Sequence, residues 1–167
     1  MTLTELNTLS AEDAFSWFEQ CCAAKAWVYQ MVEARPYSDL DTLVSQAKDA
    51  WAKCGNDDYL EAFTAHPMIG DVDSLRKKFA NTKAIAAGEQ SGTASASEAV
   101  LHQLKEANHA YLDKHGFIFI ICATGLSAQT MLEALQERLP NTKKQEISNA
   151  AAQQIKITLL RINKALN

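Results

Sequence analysis

The chain has 167 residues, 47% hydrophobic and 22% charged, and a formal charge of −4 from 16 basic and 20 acidic side chains. This length buries a sizeable core without disulfide or metal staples, and the composition is that of a globular domain rather than a disordered or fibrous chain. The acidic balance without a basic cluster excludes a nucleic-acid binder of the usual kind, and no apolar stretch reaches the length of a membrane span.

Four cysteines, Cys21, Cys22, Cys54 and Cys122, form no Cys-x-x-Cys pair and no disulfide framework, so reduced thiols are expected. Met1 to Ser10 has no basic start followed by an apolar run, and the chain ends Lys164-Ala165-Leu166-Asn167. Neither a secretory leader nor a peroxisomal ending is expected, which leaves a cytoplasmic location.

Ser10-Ala-Glu-Asp13 opens the first predicted helix with a cap, and Phe15, Phe18 and Cys22 then share a face. A second carries Trp27, Val28, Met31 and Val32 and stops at Arg35-Pro36, since proline disfavours helix in the residue before it. Ser38-Asp39 caps a third, with Leu40, Leu43, Val44, Ala47 and Trp51 at helical spacing and Gly55-Asn56 as its end. Asn56 or Asp57 caps a fourth, which presents Tyr59, Leu60 and Phe63 and ends at His66-Pro67.

Leu75 and Phe79 mark a short helix after Asp73, and residues 80–96 read as an Ala/Gly/Ser/Thr loop. Ser95-Ala-Ser-Glu98 reads as a capping box that starts a long helix, with Leu101, Leu104, Asn108, Tyr111 and Leu112 inward and Gly116 as the stop. Phe117 to Ala123 is continuously apolar. Lacking a second β-rich segment to pair with, it reads as a buried extended connection rather than a strand. Ser127 caps the next helix, which ends at Pro140. Thr142-Lys-Lys-Gln145 opens the last, striped by Ile147, Ala151, Ile155, Thr158, Ile162 and Leu166. The expected fold is all-α: one domain over 1–167, a compact bundle of about eight helices with one buried extended segment near 117–123.

Three places carry chemistry-bearing residues. His66 stands at a stiff proline junction, which suits either a packed capping histidine or a group that moves protons near neutral pH. Glu89 and Gln90 stand between Gly88 and Gly92; this is either a solvated loop or a carboxylate and amide that a ligand can approach closely. Arg161 follows Thr158 by three residues on an apolar helix face, where it either snorkels, pairs with a glutamate, or grips a ligand carboxylate bidentately. His102 and His109 lack the spacing of a helical metal pair, so no metal site is expected. No P-loop, dinucleotide fingerprint or nucleophile elbow is present.

In order and spacing these pieces resemble the OHCU (2-oxo-4-hydroxy-4-carboxy-5-ureidoimidazoline) decarboxylase family. The matching residues are Leu9-Ser10-Ala11-Glu12, Ala34-Arg35-Pro36-Tyr37, Ser38-Asp39-Leu40, Ala65-His66-Pro67 with Ile69-Gly70, Glu89-Gln90-Ser91-Gly92, Tyr111 with Gly116-Phe117 and Phe119-Ile120, and Leu160-Arg161-Ile162. The resemblance implies decarboxylation of OHCU to (S)-allantoin in urate breakdown, with no metal or organic cofactor. It implies His66, Glu89 and Arg161 as catalytic residues. Pro67, Ala86, Gln90 and the segment Phe119, Ile120, Ile121, Cys122, Ala123 would bind substrate. It further implies a homodimer whose partner is a small ureidoimidazoline, with neither nucleic acid nor membrane involved. Two positions depart from the family pattern: Ala86 replaces a serine, and Thr124 replaces the arginine of a common Ala-Arg-Gly. Competing expectations are a non-enzymatic helical interaction module and another cofactor-free enzyme acting on a ureide.

Overall fold

The computed structural model describes residues 1–68, 71–86 and 94–166, with backbone alone for 80–86 and 94–97. Regular structure among these residues is entirely helical. The helices are α1 Leu3–Thr8, α2 Ala11–Cys21, α3 Lys25–Glu33, α4 Leu40–Ala52, α5 Asn56–Thr64, α6 Val72–Ala86, α7 Ala94–His115, α8 Ala128–Arg138 and α9 Lys143–Ala165. The chain divides into two compact units, one joining Met1–Ala65 to Ile147–Asn167 and the other comprising His66–Glu146.

Local signals start most helices of the first unit. The Ser10 and Asp39 side chains accept from the backbone N–H groups of Asp13 and Thr42, satisfying donors that the first helical turn leaves unpaired. Helix α3 has no side-chain cap of its own. Glu61 of α5 supplies one, accepting from Lys25 N at 3.1 Å. The core of this unit centres on Phe18, which meets Trp27 and Tyr37 edge-on at centroid distances of 5.9 and 6.5 Å. Both buried indoles find acceptors: Trp27 Nε1 donates to Ala47 O and Trp51 Nε1 to Ala151 O, each at 3.0 Å. Arg35 donates to the Leu6 and Leu9 carbonyls at 2.9 Å, so the end of α1 is held by a charge-assisted clamp.

In the second unit α7 packs against both α6 and α8. Leu101, Leu104 and Tyr111 face inward, as their spacing predicts. Gly116 ends α7 at φ +77°, donating to Leu112 O at 2.8 Å. That left-handed turn is one a side-chain-bearing residue adopts at a cost. Residues 117–123 are neither helix nor strand.

Several expectations require correction. Helix α1 was not anticipated, although Thr2 and Glu5 form its capping box. Helix α5 begins from Gly55, not from an Asn56 or Asp57 cap, and the Asp58 side chain accepts from Gly55 N at 2.8 Å. Helix α6 continues to Ala86, where a loop from residue 80 was expected; alanine favours helix more than that reading allowed. Helix α7 starts at Ala94, so Ser95 lies inside it rather than capping it, and Glu98 pairs with Arg76 instead. The apolar segment is less enclosed than expected: Phe117 and Ile120 are buried, while Ile118, Phe119, Ile121, Cys122 and Ala123 are half-buried. On α9, Gln154 is buried and Ile155 only half-buried, with Gln154 Nε2 donating to Thr158 Oγ1 at 3.2 Å.

Candidate active site

His66 follows the C-cap Ala65 of α5 and opens the second unit. Pro67 cannot continue the N–H ladder, so the helix stops at Thr64 and the imidazole is presented at its end. The ring is half-buried and Pro67 is exposed. Placement at a helix terminus beside a residue of fixed φ limits the orientations the histidine can take.

Arg161 lies near the end of α9 in the first unit. Its neighbours Thr158 and Ile162 are buried, but Arg161 itself is exposed, so its stem leaves the apolar stripe that the spacing suggested it would join. Its Nη1 donates to the Cys21 carbonyl at 3.2 Å. Cys21 is the last residue of α2, and a cation there meets carbonyls that the helix leaves unpaired. One edge of the guanidinium is thereby anchored. Its other N–H groups have no hydrogen-bond partner among the described residues, which leaves a donor edge suited to an incoming carboxylate.

Three thiols of the first unit are held protonated. Burial raises the Cys21 pKa to about 11, against a smaller opposing effect of the Arg161 charge. Burial likewise raises Cys22 and takes Cys54 to about 11. A folded-state pKa above the unfolded value of 9.0 means that these thiols contribute stability below pH 9, which is lost as pH climbs toward 11. The urea midpoint should therefore fall across this interval, and a Cys21→Ala/Cys54→Ala variant should fall less. Parallel profiles for the two proteins would refute the assignment.

The segment proposed to line the substrate site sits in the second unit beside a polar cluster that the sequence reading missed. Phe119 meets Tyr111 edge-on at 5.2 Å, and the Arg138 guanidinium carbon lies 4.4 Å from the Phe119 ring centre. Arg138 donates through Nη1 to Ile120 O and through Nε to Glu146 Oε1, both at 2.8 Å. Glu146 is fully buried. It also accepts from Tyr111 Oη at 2.6 Å and Asn141 Nδ2 at 3.0 Å. Burial, followed by the bond to Glu146, pushes the Tyr111 phenol far above its usual range, so it stays a donor at any working pH. The available signal was charge at helix ends: Arg138 closes α8 and Glu146 lies in the first turn of α9, each on the side that its helix dipole favours.

Glu89 and Gln90 lie outside the described residues, and Ala86 ends α6 with its side chain undescribed. His102 and His109 are exposed on α7. Among the described residues no three His, Cys, Asp or Glu side chains are grouped to hold a metal ion.

Comparisons with known proteins cover both units. The chain is 40% identical over 147 residues to the uric acid degradation bifunctional protein TTL of Arabidopsis thaliana, an alignment of 86% of this chain and 44% of that one. It is 25% identical to the uric acid degradation bifunctional protein of a Bacillus species, over 98% of this chain and 32% of that protein. It thus spans less than half the length of these two relatives. It is also 25% identical to the 2-oxo-4-hydroxy-4-carboxy-5-ureidoimidazoline decarboxylase of Amia calva, covering 97% of this chain and 93% of that protein. Among solved structures, an OHCU decarboxylase crystallised in the presence of (S)-allantoin superposes with a TM-score of 0.68 at 35% identity, over 89% of this chain and 95% of that chain. The family pattern described as OHCU decarboxylase matches residues 7–163, and the chain belongs to that family.

Proposed function

We propose that the chain catalyses decarboxylation of OHCU to (S)-allantoin as one domain over 1–167. The observation that carries this reading is the family match over residues 7–163, which runs through both units. The reading includes a cytoplasmic homodimer. No helix among the described residues is long and apolar enough to cross a membrane.

The substrate makes a cofactor-independent route chemically reasonable. Decarboxylation leaves an electron pair that many enzymes pass to a cofactor. In OHCU the carbon that loses the carboxylate adjoins a ring C=N bond. As the carbon–carbon bond breaks and CO2 leaves, the pair moves into that C=N, whose nitrogen takes a proton. The resulting enol loses its hydroxyl proton as the ring carbonyl forms. The ureido-bearing carbon gains a proton on one face, which sets the (S) configuration.

The protein must then orient the anion, manage protons and keep bulk water from the intermediate. In this reading the unspent edge of Arg161 holds substrate negative charge. His66 handles the proton at the hydroxy/carboxylate end. Glu89 orients the imidazole or a ureido N–H. Pro67, Gln90 and residues 119–123 line the pocket, where backbone groups match the donors and acceptors of the flat ring. With Ala86 in place of serine, that contact lacks a hydroxyl. The apolar side chains of 119–123, buried at Ile120 and half-buried at the others, favour release of neutral CO2 over retention of a charged carboxylate.

The direct test is CO2 release from freshly generated OHCU, which should run faster than spontaneous decay in proportion to added protein. Release at the background rate at every protein concentration would refute the reading. In the same assay Arg161→Lys should lose about 10- to 100-fold in kcat/KM, the equivalent of roughly 1.5–3 kcal/mol for a hydrogen bond to a charged group, because an ammonium cannot reproduce the planar fork. Unchanged kcat/KM would make Arg161 structural.

A further inference from the structure

Arg138 spends its guanidinium in an unusual way. One nitrogen binds the fully buried carboxylate of Glu146, and another binds a main-chain carbonyl 18 positions earlier, that of Ile120. The guanidinium carbon lies over the Phe119 ring, 4.4 Å from its centre. The third nitrogen, Nη2, is buried without a hydrogen-bond partner among the described residues. An orphaned buried donor is unfavourable, so the group is not placed where its own hydrogen bonding is best satisfied. Its position is dictated by Glu146 on one side and by the chain at 119–120 on the other. Glu146 is itself fixed by Tyr111 and Asn141, so the guanidinium stands on a rigid base. No backbone ladder holds residues 118–123, since they belong to no helix or strand. Their course depends on side-chain anchors such as this one.

We propose that Arg138 is a positioning residue: braced by Glu146, it fixes the Ile120 carbonyl and the Phe119 ring and so sets the shape of the 119–123 segment against which the substrate rests. The proposal rests on the function given above, in that this segment lines the site. A lysine at 138 keeps the charge beside Glu146 but cannot hold both acceptors at the angles of a guanidinium fork.

Cys122 provides a reporter independent of activity. It is half-buried, whereas Cys21, Cys22 and Cys54 are buried. In Arg138→Lys, alkylation of Cys122 by iodoacetamide should accelerate about tenfold, as loss of one charge-assisted hydrogen bond implies, while the other three thiols keep their rates. Over the same change kcat should fall about 10- to 100-fold, because a misplaced wall spoils the reactive geometry, with KM changing less. The pair Arg138→Met with Glu146→Gln removes both charges together, so no uncompensated ion is buried, and should show the same selective rise at Cys122. An unchanged Cys122 rate, or an equal rise at all four thiols, would overturn the proposal. Were the wild-type chain inactive on OHCU, the proposed function would fall, and the labelling pattern would still decide what Arg138 does.

Discussion

His66→Ala is expected to lose about 10²- to 10⁴-fold in kcat, the range that a positioned proton-transfer group supplies, with the helical circular dichroism unchanged. The fold should tolerate the substitution because the ring is half-buried and lies beyond the last turn of α5, outside the inward faces of that helix. Alanine there leaves Pro67 to end the helix. The measurement is initial-rate CO2 release with spontaneous decay subtracted, alongside a far-ultraviolet spectrum of each protein. A kcat within about threefold of the parent, where the removed group should be worth orders of magnitude, would remove His66 from the chemistry. A fall in activity accompanied by lost helicity would show that its role is structural.

The largest expected effect on stability is at Glu146. Glu146→Ala takes the carboxylate from beside Arg138, whose side chain is only 13% exposed, and leaves the Tyr111 and Asn141 donors without their acceptor. Breaking a buried ion pair from one side costs about 3–5 kcal/mol, a large fraction of the 5–15 kcal/mol that holds a typical domain. Glu146→Gln should cost less, since an amide still offers Tyr111 an acceptor. Urea unfolding of the three proteins gives the comparison directly. A Glu146→Ala midpoint close to the parent would mean that water reaches the pair and screens it. The ion pair is not needed for compactness as such, because an apolar replacement of both partners is often neutral. Its value here is geometric, as the tie between α7, α8, the start of α9 and Ile120.

Much of the architecture was legible locally. Ser10, Asp39, Ser127 and Thr142 announce helix starts, and each side chain accepts from the backbone N–H three residues on. Gly116 announces an end and adopts the positive φ that suits it. These signals are readable because a cap involves only neighbours in sequence. The misses arise where local signals are weak or compete. Helix α1 is six residues long, too short for a hydrophobic period to show. The continuation of α6 to Ala86 was obscured by a composition shared between helix and loop. Glu98 reads as a cap partner for Ser95 on spacing alone, but a bidentate bond to Arg76 22 positions earlier takes it instead.

The candidate site was legible to a different degree. His66 stood out because a proline junction is visible in sequence. Arg161 was noticed for its apolar neighbours, yet what anchors it is the Cys21 carbonyl 140 positions away, and spacing cannot reveal such a contact. Arg138 and Glu146 look like solvated helix ends in the sequence. Their burial with Tyr111 and the Ile120 carbonyl emerges only when α7, α8 and the 117–123 segment are folded together.

Stereochemistry is the property that spontaneous breakdown of OHCU cannot imitate. The decisive measurement is circular dichroism of allantoin formed from urate by urate oxidase, with and without the chain. The account predicts an (S)-allantoin signal that grows at a rate set by protein concentration and is lost with His66→Ala. Racemic allantoin appearing at the same pace with or without the chain would contradict it.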